Sequence, residues 1–357
     1  MHTIVITGGH HNSALVVAQE LKLRGYKVVW LGHRYSSRGD TTDSAEYIEV
    51  KAAGIPFHDL AAAKLVLDIQ EFLRFPRGLS QTLTLLRKIR PTAILSFGGY
   101  LGGTVAMVGK MLNIPIYLHE QTVTAGRANK LIGSLARKVY LTWPDSAKYF
   151  DVSKTMVVGL PLRQGILTAK PKSFFTRRRP TLLIMGGKQG AHALNQFVFT
   201  HLEALVAEFN LLHQTGTSSQ THDYEHALSL QNGLRSLADS YLPAGYITES
   251  EIGSYLGSSD LYFGRSGAHI TYELGVLGLR SILVPLMSTH DHEQHKNAQI
   301  LVDAKQAVIL AQSQLSYDHF RQSVDRVKAL KPKPLSLANN AADLLVNDLL
   351  IELKDLK

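Results

Sequence analysis

Five stretches of this sequence set glycines beside residues that can move protons or hold anions, and each follows a run of Val, Ile and Leu. The first is "TGGHHNSAL", Thr7 to Leu15. Gly8 and Gly9 let backbone approach an anion closely, and His10 stands where a neutral imidazole could accept a proton. The same residues also read as a polar turn capping a helix at Asn12 or Ser13. The pattern is neither GxGxxG nor GxxxxGK[ST], so a dinucleotide-dependent oxidoreductase or a P-loop NTPase is not indicated.

The second stretch, "FGGYLGG" from Phe97, brings Gly98, Gly99 and Tyr100 to another strand-to-helix turn. The third, "LHEQTVTAGRANK", ends a buried strand on His119, Glu120 and Gln121, three polar groups whose burial is costly unless each is bonded. The fourth, "IMGGKQGAHALNQ", holds Lys188 in a glycine turn. The fifth runs from Phe263 to Leu301. There Ser266, Gly267 and Ala268 would present amides at a helix start to a diphosphate. Glu273 further along that helix could reach ribose hydroxyls, and Gln294 and Asn297 on the next helix suit sugar hydroxyls.

The elements that must position these loops are legible in the periodicity. Apolar runs alternate with helical segments as βαβ units of an α/β protein. One series of predicted strands comprises Thr3–Thr7, Lys27–Leu31, Ala93–Phe97, Ile116–His119, Val139–Thr142 and Thr155–Val158. A second comprises Thr181–Met185, Asn210–Gln214, Leu261–Phe263, Ser281–Val284 and Ala307–Leu310. Prolines and a basic cluster break both periods in between. This predicts a domain over 1–163, a linker over 164–180, a second domain over 181–335 and a final helix within 336–357 that packs on one of them.

Composition narrows the classes. The chain has 357 residues, 45% hydrophobic and 19% charged, so two folded domains are expected rather than disorder. No cysteine is present, which removes disulfides and thiolate chemistry and suits a reducing cytoplasm. The apolar N-terminal run is too short for a signal peptide, and no run reaches the roughly 20 residues of a membrane span. A net charge of +9 favours a polyanionic partner. Nucleic acid is the poorest fit, because no basic run is interleaved with aromatics. Between Ala61 and Arg90, Leu65, Leu67, Ile69, Phe72, Leu73, Phe75 and Leu79 stand among Lys64, Arg74, Arg77, Arg87, Lys88 and Arg90. That pattern reads either as an interface with an anionic membrane or as a core-facing helix pair with a basic solvent face. His292, Glu293 and His295 are competent metal ligands, but no third-ligand motif accompanies them, and no DxD pair is evident, so no metal is expected.

In order, "TGGH", "GGY", "HEQ" with "AG" and "NK", "VVGLPLR", "GG.QGA..LN", "RSGA...YEL" and "HEQHKNA" resemble the MurG-type glycosyltransferases, which add N-acetylglucosamine to the lipid-linked muramyl-pentapeptide of peptidoglycan synthesis. The resemblance covers nearly the whole chain. It implies a GT-B fold: two Rossmann-like domains whose parallel sheets face across a cleft, the acceptor on the N-terminal domain and the UDP-sugar on the C-terminal one. It implies His10 as base and Gly8, Gly9, Gly98 and Gly99 around the acceptor diphosphate, with Tyr100, His119, Glu120 and Gln121 on that side. Arg163, Ile247, Ala268, Glu273, Gln294 and Asn297 fall at donor positions, with Ile247 near uracil, Glu273 at ribose and Asn297 at the sugar.

The sequence departs from the family's pattern at several places. Val5 and Ile6 replace a glycine pair, His11-Asn12-Ser13 replaces a Phe-Pro region, Thr122 replaces an asparagine and Lys188 a serine. Ile270 stands where the family has a hydroxyl, and Glu293 replaces the first of two glutamines. The resemblance further implies UDP-N-acetylglucosamine (UDP-GlcNAc) as substrate with no tightly bound metal, a polyprenyl-diphosphate-linked acceptor, and a peripheral position on the cytoplasmic face of an anionic membrane. A related UDP-sugar transferase with another lipid-linked or glycolipid acceptor, a UDP-sugar epimerase using Glu120, and a non-catalytic binding protein are the competing readings.

Overall fold

The computed structural model describes residues 2–8, 11–35, 43–60, 69–163, 165–168, 170–288 and 290–355, the side chains of 69–75 and 290 excepted. Gly9, His10, Leu65 and Leu67 lie outside the described residues, as do the side chains of Ile69, Phe72, Leu73 and Phe75. The chain divides into two compact units, Met1–Arg163 with Ala338–Lys357, and Gln164–Leu337.

The first unit alternates strand and helix: β1 (Thr3–Thr7), α1 (His11–Leu23), β2 (Lys27–Gly32), α2 (Ala45–Ala52), β3 (Phe57–Asp59), α3 (Ile69–Ile89) and β4 (Ala93–Ser96). It continues through α4 (Gly99–Met111), β5 (Ile116–Glu120), α5 (Arg127–Leu135), β6 (Lys138–Leu141) and β7 (Thr155–Val157). All pairings are parallel, in the order β3-β2-β1-β4-β5-β6-β7. Helices cover both faces, which is why the strands read as unbroken apolar runs. Alternation sends Ile4, Ile6, Trp30 and Tyr117 into one core and Val5, Val29, Ile94 and Leu118 into the other. Val5 and Ile6 are therefore buried strand residues paired with Val29 and Trp30. Their replacement of glycines therefore falls inside β1, ahead of the loop that follows it.

The second unit holds α6 (Gly165–Thr168), β8 (Thr181–Met185), α7 (His192–Thr200), α8 (Leu202–Glu208), β9 (Asn210–Gln214), α9 (Asp223–Gly233), β10 (Tyr241–Ala244) and α10 (Ile252–Gly257). It is completed by β11 (Leu261–Gly264), α11 (Ala268–Leu277), β12 (Ser281–Leu283), α12 (Glu293–Asp303), β13 (Ala307–Ile309) and α13 (Tyr317–Lys328). Its sheet is again parallel, in the order β10-β9-β8-β11-β12-β13. The stretch read as a linker lies on this unit: Ile166 is buried, Phe174 meets Tyr255 at 4.6 Å between ring centroids, and the Lys172 N–H donates to Ser258 Oγ at 2.7 Å.

The strands β3 and β10 escaped the sequence pattern. Both are edge strands, one only three residues long and the other interrupted by Pro243, which an edge tolerates because one side of its ladder is unused. The last helix, α14 (Ala341–Lys354), returns to the first unit. It buries Leu345, Val346, Leu349 and Leu353 beside α1, while Asp348 accepts from Tyr140 Oη at 2.9 Å and from Lys138 Nζ at 2.7 Å. Of the apolar residues in the candidate membrane stretch, only the side chain of Leu79 is described. That side chain packs against the core with Leu83, Leu85 and Ile89, leaving Arg77, Arg87, Lys88 and Arg90 exposed. No helix among the described residues is long and apolar enough to cross a membrane.

Leu349→Ala should cost about 2–5 kcal/mol through the cavity it leaves. Both tryptophans, Trp30 and Trp143, belong to the first unit, so urea unfolding followed by their fluorescence reads this loss directly. A change below about 1 kcal/mol would show that α14 is not part of that core.

Candidate active site

In each sheet the first and fourth strands of the unit lie side by side, β1 with β4 and β8 with β11, and the connections leave them in opposite directions. Ligands of open parallel sheets bind beyond the strand ends at such switch points. The glycine stretches fall there: Gly8 after β1, Gly98 and Gly99 after β4, Gly186 to Gly190 after β8, and Gly264 to Gly267 after β11.

In the first unit Thr7 Oγ1 donates to Ser96 Oγ at 2.9 Å, which in turn accepts from the Gly98 N–H at 3.2 Å. Gly98 has φ +89°, and a Cβ there would strike the Asn129 amide, so only glycine fits. Asn129 joins the loops: its Oδ1 accepts from the Gly99 N–H at 3.1 Å and its Nδ2 donates to Glu120 Oε2 at 2.8 Å. The other oxygen of Glu120 accepts from the Thr122 N–H at 3.0 Å and hydroxyl at 3.1 Å. Three donors to one buried carboxylate satisfy it as charge-assisted hydrogen bonds do.

The expected acceptor residues therefore divide. Gly98 and Gly99 spend their amides internally, and the Gly8 N–H still belongs to the ladder, donating to Leu31 O at 3.0 Å. His119 is buried, and because a carbonyl only accepts, its Nε2–H donates to Gly159 O at 3.0 Å. Gln121 is buried, and Tyr100 stacks on His33 at 5.3 Å. The changes at 11–13 serve the fold: His11 Nε2 lies 2.8 Å from Glu49, and Ser13 Oγ donates to Pro161 O at 3.2 Å. Arg163 is buried at the end of this unit.

In the second unit Gln214, at the end of β9, clasps two loops. Its Nε2 donates to Gly187 O at 2.9 Å and its Oε1 accepts from the Ile247 N–H at 3.1 Å. A trans peptide carries its C=O and N–H on opposite sides, so this bond turns the Lys188 N–H the other way. Gly190 has φ +83°, and a Cβ there would collide with the Thr215 carbonyl. The Lys188 ammonium lies 6.0 Å from the Tyr246 ring centroid.

The same device recurs after β11. Asn297 Nδ2 donates to Ser266 O at 3.2 Å, turning the Gly267 N–H away, and Ser266 Oγ donates to Gln294 O at 2.8 Å. Gln294 Oε1 accepts from the Leu286 N–H at 2.9 Å. Gly267 caps α11 without a side chain, so the first-turn amides at Ala268 face outward without intrahelical acceptors. Asn297 Oδ1 is buried with no hydrogen-bond partner among the described residues. Glu273 is fully buried on α11 and Ile247 is buried beside β10. Ahead of α12, Asp291 and His292 adopt φ of +55° and +52°, a strained entry for non-glycine residues. Burial pushes the Glu293 carboxyl above its ordinary range, against a bond from Asn297 that favours its charged form. No group of three metal-ligating side chains converges among the described residues.

Below the glycine turn a polar chain runs inward. His192 Nδ1 meets Asp223 Oδ1 at 2.9 Å, and Asn195 Nδ2 donates to Asp223 at 2.7 Å and to Thr215 O at 2.8 Å. Asn195 Oδ1 can then only accept, so His213 Nε2 carries the proton and its Nδ1 accepts from Tyr241 Oη, both at 3.0 Å. Burial lowers the His213 pKa to about 3, with Asp223 opposing the shift weakly.

Sequence reasoning passed over the residues that hold the loops: Asn129, Gln214 and Asn195. Each is a carboxamide at the end of an apolar run or inside a glycine stretch, and that placement was the available signal.

Residues 3–141 match the glycosyltransferase family 28 N-terminal domain and residues 181–350 the family 28 C-terminal domain. A crystal structure of MurG from Acinetobacter baumannii superposes with TM-score 0.66 at 23% identity, covering 97% of this chain and 99% of that one. A UDP-GlcNAc 2-epimerase from Neisseria meningitidis superposes with TM-score 0.67 at 14% identity, covering 98% and 100%, which shows shared architecture only. The chain is thus a glycosyltransferase of the GT-B fold. Curated relatives named UDP-N-acetylglucosamine–N-acetylmuramyl-(pentapeptide) pyrophosphoryl-undecaprenol N-acetylglucosamine transferase are 32% identical in Stutzerimonas stutzeri, over 86% of this chain and 83% of that one. The enzyme of that name from Xanthomonas euvesicatoria is 32% identical over 96% and 76%. This chain belongs to that transferase family.

Two outcomes test the geometry. Asn129→Ala strips one donor from the buried Glu120 and should cost about 2–3 kcal/mol in urea unfolding, whereas Arg127→Ala nearby should cost under about 0.5 kcal/mol. Equal losses would remove Asn129 from the bracing role. For His213, the native pKa of about 3 lies below the ordinary 6.5, so between those values the unfolded chain binds a proton that the native chain refuses. Stability should therefore fall as pH falls through this window, by at most about 1.4 kcal/mol per pH unit from this group. Thermal unfolding by circular dichroism should show a shallower pH slope for His213→Gln between about pH 6 and 4, and parallel slopes would refute the assignment.

Proposed function

We propose that the chain is an inverting transferase that moves N-acetylglucosamine from UDP-GlcNAc to the lipid-linked N-acetylmuramyl-pentapeptide, the lipid I to lipid II step of peptidoglycan synthesis. The observation that carries the donor side is the uncapped start of α11, where Asn297 holds the Ser266 carbonyl inward and so aims the amides of Gly267 and Ala268 outward. A helix start of this kind stabilises the negative charge that grows on a departing diphosphate. The Lys188 amide, turned outward by Gln214, and the Lys188 ammonium add to it. Buried Glu273 suits ribose hydroxyls, Ile247 the uracil, and Gln294 and Asn297 the sugar, with the unsatisfied Asn297 Oδ1 as acceptor for a sugar hydroxyl.

The acceptor hydroxyl must lose a proton as it attacks the anomeric carbon, and His10, between β1 and α1, is the base in this reading. The acceptor loops are those after β1 and β4, carrying Gly8, Gly9, Gly98, Gly99 and Tyr100. His119, Glu120 and Gln121 act there by bracing rather than by contact, since His119 and Glu120 already spend polar atoms internally. The same commitment of Glu120 disfavours an epimerase, which would need that carboxylate as acid or base. The enzyme works as a peripheral protein on the cytoplasmic face of an anionic membrane, supported by the basic face of α3 at Arg77, Arg87 and Lys88.

The deciding experiment follows UDP release from UDP-GlcNAc with a short-chain lipid-linked muramyl acceptor. Asn297→Ala should raise the KM for UDP-GlcNAc about tenfold or more, and His10→Ala should lower kcat by about a hundredfold or more with little change in that KM. UDP release only with a different glycolipid acceptor would replace the acceptor assignment. A fully active His10→Ala enzyme would end the base assignment.

A further inference from the structure

At the opposite end of the second unit's sheet from these loops, where β8, β9, β11 and β12 begin, lies a cavity of about 430 Å³. Strands of this length put it roughly 15 Å from the glycine turns, so it is no part of the donor site. Its wall carries Arg178, Arg179, Arg280 and Lys328 against a single carboxylate, Asp260, with Phe209 as an apolar floor. The arginines at 178 and 179 come from the basic cluster that follows the first unit in sequence, for which the transfer reaction supplies no role.

Part of this positive charge has a structural partner. The helices α8, α11 and α13 all end beside the cavity: Phe209 is the C-cap of α8, Arg280 follows the C-cap Gly278 of α11 by two residues, and Lys328 is the last residue of α13. Each helix end carries on the order of half a negative charge. Together with Asp260, whose Oδ2 accepts from the Thr181 N–H at 2.8 Å, they offset most but not all of four full cations. The excess is on the order of one to two positive charges, the magnitude carried with opposite sign by a phosphate monoester.

The donors are also placed to use it. Arg179 gives one N–H to Val206 O and Arg280 gives Nε–H to Leu330 O at 3.2 Å, which anchors both guanidiniums while leaving further N–H groups on each. Arg178 makes no side-chain hydrogen bond or ion pair among the described residues, and Lys328 has only the Phe209 ring, at 5.9 Å. Like charges crowded in a concave, partly apolar space repel one another unless an anion joins them.

We propose that this cavity is a second anion site, which binds a phosphate-bearing ligand apart from the transfer reaction. The ligand chemistry is that of a phosphate or diphosphate group, free in solution or carried on a lipid headgroup. Arg178→Gln/Lys328→Gln removes the two cations least engaged elsewhere and leaves the fold and UDP-GlcNAc turnover unchanged, the former checked by circular dichroism. Isothermal titration with inorganic pyrophosphate and sedimentation with phosphatidylglycerol vesicles are then compared between wild type and this variant at low and high salt. Pyrophosphate binding that weakens at least tenfold in the variant and with salt supports a free phosphate ligand. Vesicle binding that weakens in the variant at least severalfold, with pyrophosphate binding the same in both proteins, supports a headgroup. Indistinguishable behaviour of the two proteins toward both probes overturns the proposal. Retention of binding by Arg178→Lys/Lys328→Arg, which keeps the charge, is expected alongside either supporting result, and loss of binding there overturns a site built on charge.

Discussion

A parallel sheet covered by helices on both faces has only its strand ends where polar atoms can meet a ligand, and this constraint governs both units of the enzyme. Strand interiors are committed mainly to apolar packing, with Ile4, Ile6 and Trp30 in one unit and Leu182, Ile184 and Phe263 in the other. What chemistry the molecule does must be carried on the loops that leave the strands. The neighbouring first and fourth strands, whose connections diverge, are where such loops leave room.

Loops of glycine would be too mobile to aim amides at a developing charge, and the structure meets this with side-chain carboxamides. Asn129 ties Gly99 to Glu120, Gln214 ties Gly187 to Ile247, Asn195 ties Thr215 to Asp223 and His213, and Asn297 holds the Ser266 carbonyl. A carboxamide suits this because it carries a donor and an acceptor in one plane and is neutral, so it can be buried without the penalty of a charge. In two of the four cases, Gln214 and Asn297, a carbonyl is held so that the N–H of the same peptide faces out. Amides fixed in this way are preorganised by residues that need not themselves touch a ligand.

The departures from the family's pattern sort by the same logic. Val5 and Ile6 lie in the buried ladder, His11 and Ser13 bond within the first unit, and Thr122 completes the Glu120 shell in place of an amide. Of these, Thr122 alone lies in a loop beyond a strand end, and it bonds back to the last residue of β5. Lys188 and Glu293 do stand at loop ends, one adding a cation beside the glycine turn and the other a carboxyl whose charge burial disfavours.

What the sequence by itself determined was the class: unbroken apolar runs separated by helical segments fix a parallel α/β architecture, and the glycines that follow those runs mark the loops. These signals are local, because a strand's pattern and a turn's glycine depend on neighbours a few residues away. The edge strands β3 and β10 were lost to the same locality, since edges need neither length nor a full ladder. Only the tertiary structure decided which polar residues spend their atoms bracing the loops. His119 and Glu120 read as ligand contacts until Gly159, from beyond β7, and Asn129, on the helix that follows β5, were seen to occupy them. It likewise placed α14 on the first unit and gathered Arg178, Arg280 and Lys328 around one cavity. A buried polar atom's role is set by the partner that reaches it in space, and that partner's distance along the chain leaves no trace in a local pattern.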